Sequence, residues 1–266
     1  MCRWLAYAGA PVFLDSLVSA PEHSLIAQSL RARQSVATTN GDGFGIGWYG
    51  DRPEPGLFRD TLPAWNDGNL LSLCEQIRSR LFFAHVRAST GTATSRVNCH
   101  PFRYGSWLFM HNGMIGGFER VRRELTFSIS PRLFPSLQGS TDSEVFFLLL
   151  LSNGLAEDPF SAFSHTVAQV LGAMKAQAIE LPFRMTAAAT DGRAIHVIRF
   201  SSDGNSPSLY YRKERASSNG DTVLILSEPL DEAVENWIAV PESYAFRADG
   251  THVHVRPFRP AERVPS

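Results

Sequence analysis

Residues 1–8, MCRWLAYA, are rich in alternating apolar and aromatic side chains, and this pattern predicts an N-terminal β-strand. A cysteine stands directly after the initiator methionine, so two interpretations are open. Cys2 is either a chance residue of a buried strand or a nucleophile placed at the chain end. Removal of Met1 would give Cys2 a free α-amine with a reference pKa of about 7.7–8.0, which can accept a proton near neutral pH. One residue would then supply both nucleophile and base.

The composition argues for a folded protein without a nucleic-acid partner. The 266 residues are 44% hydrophobic and carry a formal net charge of -1. A chain of this length can bury roughly 70–75% of its unfolded surface, and its length alone permits one large domain or two small ones. No linker divides the sequence, so residues 2–266 are predicted to form a single domain. The chain lacks the long basic run that is typical of a nucleic-acid binder. The clustered Arg120, Arg122 and Arg123 are interpreted as the solvated face of a helix.

Neither a membrane segment nor a cysteine framework is predicted. The most apolar stretch, VFFLLLLSNG (residues 145–154), falls short of the roughly 20 apolar residues that span a bilayer. The opening residues do not resemble a signal peptide, so a cytoplasmic location is expected. The three cysteines, Cys2, Cys74 and Cys99, show no CxxC spacing, which argues against both a zinc site and a disulfide scaffold.

Hydrophobic periodicity predicts strands, then helices, then strands again. Thr141 and Glu144 have the spacing of a capping box and mark the start of a helix, and a second helix follows. After Pro182 short β-runs return, and the pair Asp191-Gly192 favours a hairpin. Residues 51–69, rich in proline and glycine, are predicted to be loop. This order of elements indicates an α+β fold.

The glycine run GDGFGIG (residues 41–47) does not fit a nucleotide-binding motif, and a strand rather than a helix follows it. Glycine at every second position instead lets another backbone or a ligand approach closely. The eight histidines show no metal-binding spacing, so no metal site is predicted. Cys99 and His100 are poorly placed as a catalytic pair, because adjacent strand residues point to opposite faces. Cys74 is interpreted as a core residue.

Four further residues could serve a nucleophile that attacks an amide. The side chain of Asn112 and the backbone N–H of Gly113, in the motif HNG, could stabilise an oxyanion, although Asn-Gly also favours a hairpin turn. Arg87, at the polar end of an apolar strand, could bind a carboxylate or could be an ordinary surface or ion-paired arginine. Asp142 suits a helix N-terminus and could equally face an ammonium group. Together these residues suit a substrate that carries both charges of a free amino acid.

Cys2 and six segments that follow it in order resemble the class II glutamine amidotransferase domain of the N-terminal nucleophile hydrolases. Spread over residues 2–231, the segments are NGDGFGIGWY, AHVRAST, NCHPF, HNGMI, STDSE and ILSEPLD. The resemblance implies that residues 2–266 form one domain of this type, a four-layer αββα sandwich that requires no metal or organic cofactor.

The resemblance also implies a role for each site residue. Cys2 would be the nucleophile, with its own α-amine as base, and Asn112 and Gly113 would form the oxyanion hole. Arg87 would bind the α-carboxylate of a glutamyl group and Asp142 its α-ammonium. Two further positions, Thr90 and His100, would line the pocket. Many family members have an aromatic residue after the arginine, where this chain has Ala88.

The implied reaction is hydrolysis of a small-molecule γ-glutamyl amide through a Cys2 thioester. The chain is most similar to stand-alone members, which include the γ-glutamyl hydrolase of ergothioneine biosynthesis and related γ-glutamyl peptide hydrolases. Two alternatives remain: a glutaminase that supplies ammonia to a separate synthase partner, and a non-catalytic binding or regulatory module. The Arg87–Asp142 pair argues against an acylase of the bile-salt or penicillin type, because such substrates lack a free α-amino acid end.

Overall fold

The computed structural model describes residues 2–34, 39–89, 93–214, 221–249 and 252–262. Within these ranges the strands are β1 (Arg3–Phe13), β2 (Phe44–Trp48), β3 (Gly56–Asp60), β4 (Arg78–Val86), β5 (Phe102–Tyr104), β6 (Trp107–Ile115), β7 (Phe183–Thr190), β8 (Ile195–Ser201), β9 (Tyr210–Glu214), β10 (Thr222–Leu226), β11 (Ile238–Ala239), β12 (Tyr244–Asp249) and β13 (His252–Pro257). The α-helices are α1 (Asp15–Val18), α2 (Leu25–Leu30), α3 (Gly68–Gln76), α4 (Phe118–Phe127), α5 (Asp142–Ser152) and α6 (Pro159–Ala176).

The strands form two antiparallel sheets. The first has seven strands in the order β11-β9-β10-β1-β4-β2-β3, and the second has six in the order β13-β12-β8-β7-β6-β5. The N-terminal strand β1 lies inside the first sheet, between β10 and β4. Its first residue, Arg3, pairs with Val86 at the end of β4, so Cys2 lies beside the segment that leaves β4.

Three hydrophobic clusters separate four layers. Side chains alternate along β1: Trp4 and Ala6 face the second sheet, whereas Leu5 and Tyr7 face helices α1–α3. On the far side of the second sheet, α4, α5 and α6 pack on another cluster. The order helix, sheet, sheet, helix is the predicted αββα sandwich of an α+β protein.

Local sequence signals explain the start of α5 and the exposed side of α4. The Oγ1 of Thr141 accepts from the backbone N–H of Glu144 at 3.2 Å, as the capping box predicts. The Glu144 carboxylate does not return to Thr141. It accepts instead from the backbone N–H groups of Gln138 and Gly139, at 2.9 and 2.6 Å. The arginines predicted to lie on a solvated helix face are exposed on α4, namely Arg120, Arg122 and Arg123.

One local prediction is wrong, and one of the two interpretations of Asn112 and Gly113 is excluded. Residues 51–69 are not all loop, because β3 lies within them and pairs with β2 along its length. Asn112 and Gly113 do not form a turn, since both lie within β6, opposite Thr186 and Met185 of β7. In both places sheet pairing overrides the local preference of glycine, proline and asparagine for turns. Among the helices in the described ranges, none has the length and apolar character needed to cross a membrane.

Candidate active site

One cavity lies beside Cys2, at the end of the layer between the two sheets. It is lined by Cys2 and by four other residues that the sequence singled out, Arg87, His100, Gly113 and Asp142. Cys2 comes from the start of β1, Arg87 follows β4, and Gly113 and Asp142 belong to β6 and α5. The fold therefore brings together side chains that are as many as 140 positions apart in the sequence.

The Cys2 thiol is held against the backbone. Its Sγ donates to the carbonyl oxygen of Ala88 at 3.6 Å. Burial raises the pKa of the Cys2 thiol, and the positive charges of Arg87 and Arg3 only partly oppose that effect. Because burial favours the protonated thiol, attack on a substrate requires a nearby base. The α-amine that Cys2 acquires when Met1 is removed would meet this need.

Arg87 is buried and is fixed by neutral acceptors. Its Nη1 donates to the carbonyl oxygen of Asp42 at 3.2 Å, and its Nη2 donates to the Ser89 hydroxyl at 3.3 Å. Ser89 is fixed in turn, because its backbone N–H donates to the Asp42 carboxylate at 2.7 Å. A guanidinium oriented in this way at a cavity wall is suited to bind a carboxylate.

Asp142 also lines the cavity, at the first position of α5. Its Oδ2 accepts from the backbone N–H of Ile115 at 2.9 Å, and its Oδ1 accepts from that of Ser143 at 2.7 Å. These bonds orient the carboxylate, and the positive end of the helix dipole favours its charge. An anionic group that lines the cavity can receive an ammonium group of the substrate.

Asn112 and Gly113 are held by sheet pairing rather than by a turn. Neither the Nδ2 nor the Oδ1 of the buried Asn112 has a hydrogen-bond partner among the described residues. A buried amide without a partner costs stability, so its retention is consistent with a role towards a ligand. Gly113 has φ +150°, and a Cβ there would collide with the carbonyl of Arg184, so only glycine fits.

His100 also lines the cavity, and its two ring nitrogens have no partner in the described part of the chain. Its ring stacks on that of His85, with 4.3 Å between the ring centroids. Burial lowers the pKa of both histidines well below the usual range, to about 3 for His85.

The close approach predicted at the glycine run, residues 41–47, is confirmed at His100, since a Cβ at Gly45 would collide with the carbonyl of His100. Thr90, the other predicted lining residue, lies outside the described residues.

The sequence alone did not indicate a buried ionic cluster behind Cys2. The Nε of Arg3 donates to Glu228 at 2.6 Å, and the Nη1 of Arg3 donates to the carbonyl oxygen of Cys2 at 2.8 Å. Glu228 also contacts His23 at 3.0 Å and accepts from the backbone N–H groups of Arg33 and Gln34. Burial alone would raise the pKa of Glu228, but His23, Arg3 and these N–H donors lower it to about 2.

A second link joins the strands that carry the nucleophile and the amide. The indole Nε1 of Trp4 donates to the Oγ1 of Thr186 at 3.2 Å, and that hydroxyl donates to the carbonyl oxygen of Asn112 at 3.5 Å. Both residues are fully buried. The bridge therefore connects β1, two residues after Cys2, to β6 at Asn112.

Over the described ranges, no group of three or more His, Cys, Asp or Glu side chains is arranged to hold a metal ion.

Comparison with known proteins places this chain in a family. The family model described as glutamine amidotransferases class-II matches residues 18–203. The chain is 37% identical to the probable glutamine amidotransferase DUG3 of Saccharomyces cerevisiae, over 91% of this chain and 80% of that protein. It is 29% identical to the gamma-glutamyl-hercynylcysteine sulfoxide hydrolase of Mycolicibacterium smegmatis, over 97% of this chain and 100% of that protein.

Comparison with solved structures supports the same family. A glutamine aminotransferase class-II domain protein from Silicibacter pomeroyi matches with a TM-score of 0.78 and 35% identity, covering 98% of this chain and 100% of that one. The glutamine phosphoribosylpyrophosphate amidotransferase of B. subtilis shares the fold alone, with a TM-score of 0.60, 15% identity and 49% of its chain covered. This chain belongs to the class II glutamine amidotransferases.

Proposed function

We propose that this chain hydrolyses a γ-glutamyl amide bond with Cys2 as the nucleophile and releases glutamate. The observation that carries the proposal is the single cavity in which Cys2 lies with Arg87 and Asp142. The free end of a γ-glutamyl group carries one carboxylate and one ammonium. A guanidinium and a carboxylate in one cavity complement that pair of charges.

In the proposed reaction the α-amine of mature Cys2 takes the proton from Sγ, and the thiolate attacks the γ-carbonyl carbon. The oxyanion accepts hydrogen bonds from the Asn112 Nδ2 and the backbone N–H of Gly113. Collapse breaks the C–N bond, and the proton passes from the α-ammonium to the leaving nitrogen. The same amine then activates a water molecule, which hydrolyses the thioester to glutamate and restores the thiol.

The identity of the leaving group separates two versions of this function. The Mycolicibacterium smegmatis relative is named as the hydrolase of a γ-glutamyl conjugate, which supports a leaving group larger than ammonia for this chain. The alternative is ammonia delivery to a separate synthase partner. Support for it comes from the phosphoribosylpyrophosphate amidotransferase, in which this fold occupies about half (49%) of a longer chain.

The test is release of glutamate from L-glutamine and from γ-L-glutamyl-L-alanine by the purified protein. Cys2→Ala should lower kcat/KM by roughly a thousandfold or more, as loss of a nucleophile does. Cys74→Ala is the matched control, because Cys74 is packed in the cluster against helices α1–α3 and should remain active. Glutamate release that survives Cys2→Ala contradicts the proposed mechanism. Absence of turnover in the wild type would instead favour the non-catalytic module.

A further inference from the structure

Met114 and Arg184 form a cross-strand pair at the rim of the cavity. They are directly opposite each other on β6 and β7, two positions along from the pair Asn112 and Thr186. Strand alternation therefore places Met114 on the same sheet face as Asn112, and Arg184 on the same face as Thr186. Both rim residues line the cavity that contains Cys2.

Their exposure separates them from Arg87, which would bind the α-carboxylate of the glutamyl group, whereas Asp142 is half-buried. Arg87 is buried, whereas Met114 is 43% exposed and the side chain of Arg184 is 39% exposed. A glutamyl group whose charged end is held by Arg87 and Asp142 has its amide carbon at Cys2. The group beyond the amide nitrogen must then lie towards the open side of the cavity, where Met114 and Arg184 are found.

We infer that Met114 and Arg184 bind the leaving group, and that this group is an amino acid or peptide with a free carboxylate. The inference rests on the proposed function and names its substrate class. Met114 offers an apolar contact to the leaving group, and Arg184 offers the positive charge that a carboxylate requires. Ammonia, released from glutamine, would use neither residue.

The guanidinium of Arg184 is paired with Asp203 along one edge, and its Nη1 is available to a ligand. Asp203 accepts from its Nε at 3.0 Å and also from its Nη2. No hydrogen bond to the Nη1 is found in the described part of the chain. Asp203 therefore occupies one edge of the guanidinium and leaves the other available to a second carboxylate. A charge-assisted hydrogen bond of this kind corresponds to roughly a ten- to hundredfold effect on kcat/KM.

The competing explanation is that Arg184 and Asp203 are a surface ion pair without a role in binding. The two explanations differ in one ratio: kcat/KM for γ-L-glutamyl-L-alanine divided by that for γ-L-glutamyl-L-alaninamide, which lacks the carboxylate. The wild-type ratio should be roughly ten or more. Arg184→Gln should bring it close to one, and Arg184→Lys should leave it in between. Asp203→Asn is the matched control: it breaks the same ion pair but should keep the ratio within about threefold of the wild type.

The ratio cancels losses that affect both substrates equally, such as partial unfolding. A wild-type ratio near one overturns this inference, as does a ratio that Arg184→Gln leaves unchanged or that Asp203→Asn abolishes. Any of these three results leaves the proposed function intact as long as glutamate is released from the two compounds. If the wild type hydrolyses neither compound nor L-glutamine, the proposed function itself fails and this inference with it.

Discussion

Two buried polar regions flank the start of β1, and they differ in how well their atoms are paired. The Glu228 cluster, made of Arg3, His23 and Glu228 with the backbone N–H groups of Arg33 and Gln34, gives each carboxylate oxygen two donors. The unpaired set, defined as His85, His100 and Asn112, contains five buried nitrogen and oxygen atoms without a hydrogen-bond partner in the described residues: one in His85 and two each in His100 and Asn112. Of these three residues, His100 lines the cavity of Cys2, whereas His85 and Asn112 do not.

The difference indicates what each region is for. A saturated ionic cluster holds its elements in a single arrangement, and here it fixes the backbone of Cys2 through Arg3. Unpaired buried polar atoms lower stability, by roughly 1–3 kcal/mol for each group. His100 brings two such atoms to the cavity of Cys2, so the fold gives up stability at a place where a substrate would supply the missing partners. Substitutions in the two regions should therefore have opposite signatures.

The largest effect on stability is expected in the Glu228 cluster. Glu228→Gln would leave the Arg3 guanidinium buried without its counter-charge, so the free energy of unfolding should fall by about 3–5 kcal/mol. Chemical denaturation monitored by circular dichroism measures this change. Arg96→Gln, which breaks an ion pair whose arginine side chain is 68% exposed, is the control and should cost about 1 kcal/mol or less. Equal losses in the two variants would show that the cluster is not a stabilising centre.

In the unpaired set the expected effect falls on catalysis. Asn112→Leu replaces an unpaired amide by an apolar group of similar size and removes the proposed oxyanion donor. We expect kcat to fall roughly 100- to 1000-fold, or about 2.7–4 kcal/mol in the transition state. The free energy of unfolding should stay the same or rise, because a desolvated amide is removed. A loss of stability of several kcal/mol in this variant would contradict the proposed contrast between the two regions.

Acid should affect the two regions in different pH ranges. The pKa of His85 falls from 6.5 in the unfolded chain to about 3 in the folded one, so the unfolded state binds the extra proton and stability declines as pH drops from 6.5 towards 3. The pKa of Glu228 falls from 4.5 to about 2, so its contribution is complete above pH 4.5 and is lost only below that value.

Denaturation at several pH values between 6.5 and 4.5 tests this separation. The slope of stability against pH should be smaller in His85→Gln than in the wild type, by up to about 1.4 kcal/mol per pH unit. Burial also lowers the pKa of His100, of His111 and of His196, the last to about 4. These three histidines contribute to the slope in both proteins, so their contribution cancels in the comparison. An unchanged slope in His85→Gln would mean that His85 is not held neutral by the fold.

The smallest effect is expected at the bridge between the sheets. Thr186→Val keeps the shape of the side chain but removes the hydroxyl that joins the Trp4 indole to the carbonyl of Asn112. The buried indole N–H then loses its partner, which should cost about 1–2 kcal/mol of unfolding free energy. If the bridge also sets the position of Asn112 relative to Cys2, kcat should fall severalfold while KM stays constant. A rise in KM alone would count against that positioning role.

Local patterns in the sequence predicted the elements that local physics controls. The alternation in MCRWLAYA gives a strand with Trp4 and Leu5 on opposite faces, and Thr141 caps α5 through the N–H of Glu144. The strand β3 could not be found in this way, because all five of its residues are half-buried and show no alternation. Asn112 and Gly113 favour a turn by themselves, and only pairing with β7 keeps them in a strand.

The residues of the site show the same difference between features that local sequence predicts and features that depend on strand pairing. Cys2, Arg87 and Asp142 were recognised as candidates because each stands at an element end with chemistry of its own. The stacking of His85 on His100, the pairing of Met114 with Arg184 and the contacts of Glu228 depend on which strands become neighbours. Such long-range pairings produce no periodic pattern of residues in the sequence. They therefore became visible only in the folded chain.

The most direct test of the central claim, that Cys2 attacks a γ-glutamyl group held by Arg87 and Asp142, is intact-protein mass after treatment with 6-diazo-5-oxo-L-norleucine. This glutamine analogue carries the same α-carboxylate and α-ammonium as glutamine, with an electrophilic diazoketone in place of the side-chain amide. We predict one adduct, mapped by peptide sequencing to an N-terminal Cys2 that has lost Met1, and no adduct in Cys2→Ala. An unlabelled wild type, or a label that persists in Cys2→Ala, would contradict the account.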